Sequence, residues 1–574
     1  MAPTKSQAAP PAVVLAATIT PGPPEETTRT AATSATADVA ASGAAGDARS
    51  PAGNVLRLNF FVEPTTLDPQ QATNVSDIQL IMLNYLPLMT FDTALKLVPG
   101  AAAQVDISDE GQTLTFKLHP DQQFADGAPL TAAHFEYAWK RVCDPLIAAG
   151  YVSIAYPIIG CQEYAEAITT NSLTVTDVAA LQELRDQVGV HALDDDTLEI
   201  KLKEQAPYFL YVTALFIGVP VREDLIARGD AAWWSDPATY VGNGPFQLTE
   251  WEHDHRVRFE RNPHYVLSDR SPKLEAIEGL MIPETNVAFE AYLTDELDII
   301  DLFGSLLPRV EADPQLQSQR VDTPGSCTYF LQFNTTAPPF DKKAVRQAFA
   351  QALDREGWAR DIGKGLRTPA LSFIPRGQPG HDPTERRYTF DPAAAKQKLA
   401  ASGYDMSQPL KLTYFGSSSN EASHQYLAAM FQNVLGVKIT LDPVEPSIFG
   451  SLFESPATLP QLTMGDWCAD YPDPQNWLSV AFRTGGVVAA TIGWSNPKFD
   501  ELTAEADKLR IDDPRRAQLY QEAQRLLVEE APVAFFVDTN MHRLVKPWVK
   551  GLNATPLDYV PGLFSLETLE IATD

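Results

Sequence analysis

Three observations predict an α/β fold. Between residues 410 and 441 a strand-like run, a helix and a second strand-like run follow one another, the alternation that builds a helix-covered sheet. Upstream, from residue 55 onward, short strand and hairpin signals alternate with amphipathic helices rather than forming one uniform class. The composition, 574 residues with 44% hydrophobic and 21% charged, is that of a soluble globular chain with room for roughly three or four domain-sized units.

The formal net charge of −30 excludes some partners. It argues against nucleic acid, which needs clustered Lys and Arg, and against docking to an anionic membrane surface by charge. No apolar run reaches the length of a transmembrane helix. Lys5 precedes a short apolar run from Ala12 to Ile19, with Pro10 and Pro11 between them, so an export signal is weak or missing in this sequence. The four cysteines, Cys143, Cys161, Cys327 and Cys468, form no C-x-x-C. Their count alone fits two disulfides in an exported protein or four buried thiols in a cytosolic one.

Residues 1–52, rich in Ala, Thr, Pro, Gly and Ser, predict a disordered tether, because they cannot bury enough to offset ordering entropy. Val55 to Phe60 alternates as a strand, and residues 63–69 form a loop fixed by Pro64 and Pro69. A helix is predicted over 76–86 from Ile78, Ile81, Met82 and Tyr85. Asp109-Glu110-Gly111 turns a hairpin into 113–118, and Thr131 caps a helix reaching Arg141 with Phe135, Ala138 and Trp139 inward. Cys143 and Cys161 enclose a short loop whose closure would be worth roughly 3 kcal/mol.

Residues 172–190 read as an acidic helix, and 193–202 as a hairpin whose Asp194-Asp195-Asp196 turn lacks the calcium-loop pattern. Gly242-Asn243-Gly244 lacks the third glycine of a dinucleotide site and reads as a tight crossing between two units. His253 and His255, in a hairpin turn, have no third ligand for a metal. Cys327 to Asn334 is a strand entering a new unit. Asp341 is expected to cap one helix and Asp391-Pro392 to open another, closed by Gly403. After the strand-helix-strand run, Trp467-Cys468-Ala469-Asp470-Tyr471-Pro472-Asp473-Pro474 reads as a strand end feeding a loop. A long helical region over 499–530, broken at Asp513-Pro514, and a strand over 533–537 close the chain.

Collected, these pieces resemble the oligopeptide- and dipeptide-binding proteins of bacterial ABC transporters, solute-binding protein family 5, over about residues 55–572. The marks are Glu63-Pro64 with Leu67-Asp68-Pro69, Leu97-Val98-Pro99-Gly100, Ser108-Asp109-Glu110-Gly111, Phe124 with Asp126-Gly127 and Leu130-Thr131, Gly242 to Phe246, Glu260-Arg261-Asn262-Pro263 and Leu544 to Val549. Trp467 to Tyr471 is similar to the oligopeptide-binding branch.

The resemblance implies a large type II periplasmic-binding-protein fold, two main lobes joined by a hinge plus an inserted third. Lobe I would take residues 53–86, 240–326 and 560–574, lobe II 87–239, and lobe III 327–559. It implies a disulfide between Cys327 and Cys468, worth roughly 5 kcal/mol by loop entropy, and leaves Cys143 to pair with Cys161.

The function implied is capture of oligopeptides outside the cytoplasm for the permease of an ABC importer, by a monomer without cofactor, metal or catalytic activity. Asp470 matches the acid for the peptide α-ammonium, Val75 and the Cys468 backbone match positions that extend the peptide as an added strand, and Trp467 matches a pocket wall, with Tyr151 and Phe330 as further carry-overs. Two departures bear on the ligand's other end. Met464 stands where that branch has arginine and Asp466 where it has glycine, so His424 is a candidate for the ligand carboxylate, and Asp466 narrows the site or favours a basic ligand. The alternatives are a non-peptide solute on the same fold, such as an oligosaccharide, metal chelate or haem, and a secreted hydrolase, although neither Gly-x-Ser-x-Gly nor His-Glu-x-x-His occurs.

Overall fold

In the computed structural model, which describes residues 53–108, 111–169, 173–405, 409–558 and 560–572, the alternation of Val55–Asn59 sends Leu56 and Leu58 into the core. This strand pairs in parallel with Ala276–Leu280 on one side and with Ile299–Asp301 on the other, and the hairpin Phe246–Glu252 and Arg256–Arg261 extends the sheet outward. The other half of the same sheet runs Ile439–Val444, Leu410–Phe415, Leu462–Cys468, Arg320–Phe333. The predicted strand-helix-strand run is there: Leu410–Phe415 and Ile439–Val444 are parallel, joined by the helix Ser418–Leu435. The predicted α/β class is thus observed, with eleven strands in the main sheet among the described residues.

Two long strands join the halves. Val533–Val545 pairs through residues 533–538 with 328–332, and through 543–545 with Ile299–Asp301. Its partner Arg320–Phe333 shifts register between Pro324 and Thr328, a bulge that bends the pair where the halves meet. Gly325 sits in this bend because a Cβ there would lie 2.3 Å from the Thr539 hydroxyl.

Between residues 87 and 239 the chain builds a separate antiparallel sheet, Ala102–Ser108, Thr113–Leu118, Thr197–Lys201 and Val190–Asp194. The helix Ala132–Val142 buries Phe135, Ala138 and Trp139, and Thr131 is its N-cap, with the Thr131 N–H donating to His134 Nδ1 at 3.1 Å. The Cys143–Cys161 disulfide staples this unit. The chain leaves and re-enters it at the predicted crossing. There Asn243 exchanges both hydrogen bonds with the Leu86 backbone at 3.0 Å, and Gly242 and Gly244 press on Asn84 and Tyr85 so closely that a Cβ would overlap backbone.

Two expected elements differ. The helix expected over 172–190 is Val178–Asp186, and Val190 already belongs to a strand, because Gly189 pairs with Ile159 and Lys201 instead of continuing the helix. Asp341 does not cap its helix. Its N–H donates back to Ala337 O, and Lys343–Ala352 starts two residues later behind Lys342. The tether over 1–52 and the Asp109-Glu110 part of the first hairpin turn lie outside the described residues. Among the described residues no helix is long and apolar enough to cross a membrane.

Candidate functional site

The strand Leu462–Cys468 leads into the loop at Asp470. It lies antiparallel to Arg320–Phe333, with Cys468 opposite Cys327, Trp467 opposite Thr328 and Asp466 opposite Tyr329. The Cys327–Cys468 disulfide locks this register at the loop's base, with a Cα separation of 4.0 Å. The strand's other edge is covered by Leu410–Phe415 at Leu462 and Thr463 alone. Among the described residues no strand pairs with that edge from Met464 to Cys468. An unused edge is a template for an extended chain.

Asp470 stands just beyond this edge, half-buried. Asn476 holds it: the Asn476 amide donates to Asp470 Oδ2 at 2.8 Å, and Asn476 Oδ1 accepts from the Asp470 N–H at 3.2 Å. The buried Trp467 acts through the same asparagine, its indole N–H donating to Asn476 Oδ1 at 3.3 Å. From the inserted unit the Tyr151 hydroxyl donates to Asp470 Oδ1 at 3.3 Å. Tyr211 of that unit stacks on Tyr471 with centroids 6.0 Å apart. Among the described residues no Lys, Arg or His lies within ion-pair distance of Asp470. Burial pushes its carboxyl up from the usual range, and the Asn476 and Tyr151 bonds hold it part-way down. The group is therefore aimed and desolvated, and lacks a cation.

Asp466 is also half-buried, and burial pushes its carboxyl up to about 6, opposed by Arg367. Its Oδ2 is 3.8 Å from the Cys468 sulfur, which as half of a disulfide has no proton to donate. Val75 opens the helix Val75–Asn84 and is 40% exposed. The loop before it is tied to that helix by Asp77, which accepts from the Thr65 N–H at 2.8 Å and its hydroxyl at 2.7 Å.

Two expected site residues are corrected. Phe330 is 1% exposed and packs among Phe373, Phe482 and Phe535, since its position in the strand faces the core; its half-buried neighbour Tyr329 takes the opposite face. His424 is 4% exposed and stacks on Tyr414 at 4.3 Å, with Nδ1 bonded to Asn420 O at 2.6 Å. Burial pushes its imidazole down to about 4, so at neutral pH it carries no charge for a carboxylate. His253 and His255 each meet a separate acid, Glu63 at 2.7 Å and Glu252 at 2.9 Å. Among the described residues no group of three or more His, Cys, Asp or Glu is placed to hold a metal.

Sequence reasoning missed Asn476, whose place after Pro-Asp-Pro reads as an ordinary turn, and Arg516. The latter grips Asp473 of the same loop with two bonds, 2.8 and 2.7 Å, both side chains nearly buried. No local signal links Asp473 to a helix far downstream.

A bent joint between two half-sheets, with an unused strand edge and, beside it, an acid that has no cation among the described residues, suits a protein that clasps an extended ligand. This is the architecture of a solute-binding protein with the type II periplasmic-binding-protein fold. The chain belongs to the bacterial extracellular solute-binding proteins, family 5, whose middle region matches residues 96–488. It is 29% identical to the dipeptide-binding protein DppE of Bacillus subtilis over 89% of this chain and 92% of that one. It is also 29% identical to the probable deoxycholate-binding periplasmic protein YgiS of Escherichia coli, over 88% and 92%. The fold matches the unliganded open form of the periplasmic murein tripeptide binding protein MppA, with a TM-score of 0.74 and 27% identity, covering 91% of this chain and 99% of that one.

Proposed function

We propose that this protein captures oligopeptides outside the cytoplasm and delivers them to the permease of an ABC importer, as a monomeric binding subunit without catalysis. The observation that carries the reading is Asp470: half-buried, oriented by Asn476 and Tyr151, and without a cation among the described residues. An α-ammonium brings three donors and a positive charge to such an acid. The peptide backbone would add as a strand on the edge from Met464 to Cys468, with Val75 as a further backbone contact, so that affinity comes from groups every peptide shares. Lobe I (53–86, 240–326, 560–574) and lobe III (327–559) would close by bending at the Pro324–Thr328 bulge, and lobe II (87–239) would carry Tyr151 to Asp470. The likeness to DppE supports a peptide ligand.

The test is a melting-temperature comparison with and without a pool of two- to six-residue peptides. At a hundredfold excess over the dissociation constant the expected gain is about 2.7 kcal/mol, absent in Asp470→Ala. A second reading, a non-peptide solute such as a bile acid, is favoured by Met464 in place of arginine and by the likeness to YgiS. A shift with deoxycholate and none with peptides would establish it.

A further inference from the structure

The unused strand edge carries a second acid besides Asp470. Met464, Asp466 and Cys468 alternate onto one face of their strand, and Tyr329, the ladder partner of Asp466, shares that face. The opposite face is closed: Trp467 is buried, and a Cβ at Gly465 would lie 2.9 Å from the Phe330 ring. Asp466 itself is half-buried. Among the described residues no N–H or O–H donates to its carboxylate, and no Lys, Arg or His lies within ion-pair distance of it. Asp470, by contrast, has Asn476 and Tyr151. A carboxylate that has lost water and gained no donor is costly, and a cation from outside would offset that cost.

We infer that Asp466 selects peptides with lysine or arginine at the third position, by pairing with that side chain. This rests on the proposed function and names its preferred substrates. A peptide with its amine on Asp470 and its backbone along Met464 to Cys468 runs antiparallel to that strand, because Asp470 follows Cys468 in the chain. Its first residue then falls opposite Cys468 and its third opposite Asp466. Opposed residues of an antiparallel ladder share a face, with Cβ atoms roughly 5 Å apart, so a long basic side chain at the third position reaches the carboxylate. The second residue turns to the other face, the side of Gly465 and Trp467.

Arg367 does not fill this role from within the chain. Its guanidinium lies over the Tyr329 ring, 5.4 Å from the centroid. Its strand, Arg367–Pro369, pairs with Val533–Val545, so that strand and Arg320–Phe333 separate it from Leu462–Cys468. Acting from beyond ion-pair distance, it opposes burial only in part, and the Asp466 carboxyl stays pushed up to about 6, which leaves it ionised at pH 7.5. A ligand cation arriving at the open edge meets Asp466 in contact and Arg367 only across the Tyr329 ring. Coulomb energy falls with distance, so the acid in contact outweighs the arginine behind it.

Calorimetric titration at pH 7.5 of Ala-Ala-Lys-Ala, Ala-Lys-Ala-Ala and their glutamine counterparts tests this. Wild type is expected to bind Ala-Ala-Lys-Ala at least about tenfold tighter than Ala-Ala-Gln-Ala, and Ala-Lys-Ala-Ala within about threefold of Ala-Gln-Ala-Ala. Asp466→Asn should bring the first ratio to within about threefold while leaving affinity for Ala-Ala-Gln-Ala within about threefold of wild type. Its melting curve confirms folding. Three results overturn the assignment: equal binding of the third-position lysine and glutamine peptides by wild type, a preference that survives in Asp466→Asn, or an equal preference at both positions, as general attraction to an acidic chain would give. After any of these, loss of Ala-Ala-Gln-Ala affinity in Asp470→Asn keeps the peptide reading standing; if no peptide binds at all, both fall.

Discussion

Asp470 and Asp473 share one loop and have opposite surroundings. Asp473 already has its cation: Arg516 meets it with two bonds in a nearly closed environment, as Arg141 meets Asp68 in another part of the fold with exposures of 7% and 2%. Among the described residues, the side chains that donate to the Asp470 carboxylate are the neutral Asn476 and Tyr151. An acid whose charge is answered within the chain fixes the chain's shape. An acid that is aimed and desolvated but unanswered is free to meet a cation from outside, the role proposed for Asp470. The local sequence, Asp-Tyr-Pro-Asp, gives no hint of which is which.

Exchanging the roles of these acids is the most direct way to break the comparison. Asp473→Asn removes the carboxylate paired with the buried Arg516, and should cost roughly 3–5 kcal/mol in urea unfolding. An equally large loss in Asp470→Asn would erase the distinction; the expected change there is within about 1 kcal/mol.

A third kind of acid sharpens the contrast. Asp538 is 3% exposed, accepts from the Thr328 hydroxyl at 3.0 Å, and is pushed up to about 7 by burial. Its folded value lies above the ordinary 3.8, so between about pH 4 and 7 the folded state holds more protons than the unfolded state. Its contribution to stability is therefore greatest at low pH and is lost as pH rises through that window. Asp538→Asn should gain on wild type from pH 4 to 7, by on the order of 3 kcal/mol, in urea titrations across the range. A constant difference would mean that Asp538 does not titrate there.

Peptide affinity should run the other way with pH. A ligand ammonium needs Asp470 ionised, and burial has raised that carboxyl, so binding should weaken as pH falls from 7.5 toward 5, measured by calorimetry. The smallest effect concerns Tyr151. Removing its single 3.3 Å bond in Tyr151→Phe should cost about 1 kcal/mol of affinity, a factor of about five, with little change in melting temperature.

The fold class was legible because strand-helix-strand alternation over 410–441 and the hairpin signals are local patterns. The Gly242-Asn243-Gly244 crossing was legible because only close backbone approach explains such a segment. Within the site, the resemblance pointed to Asp470 and Cys468, but it also pointed to Phe330, where a one-residue change of face separates the core from the open side. His424 was misread because a helix-surface histidine and one stacked under Tyr414 have the same sequence signature. Arg516 was invisible because its partner is distant in sequence, and ion pairs leave no periodic trace.

The central claim is that Asp470 receives the ligand's α-ammonium. The most direct measurement is the affinity of Ala-Ala-Ala and its N-acetylated form for wild type and for Asp470→Asn, at pH 7.5. Acetylation removes the charge from the ligand and the substitution removes it from the protein. Each alone should weaken binding by at least about a hundredfold, and the two together by little more than either. If acetylated and free peptides bind wild type equally, or if the two losses simply add, the ammonium is not on Asp470 and the account fails.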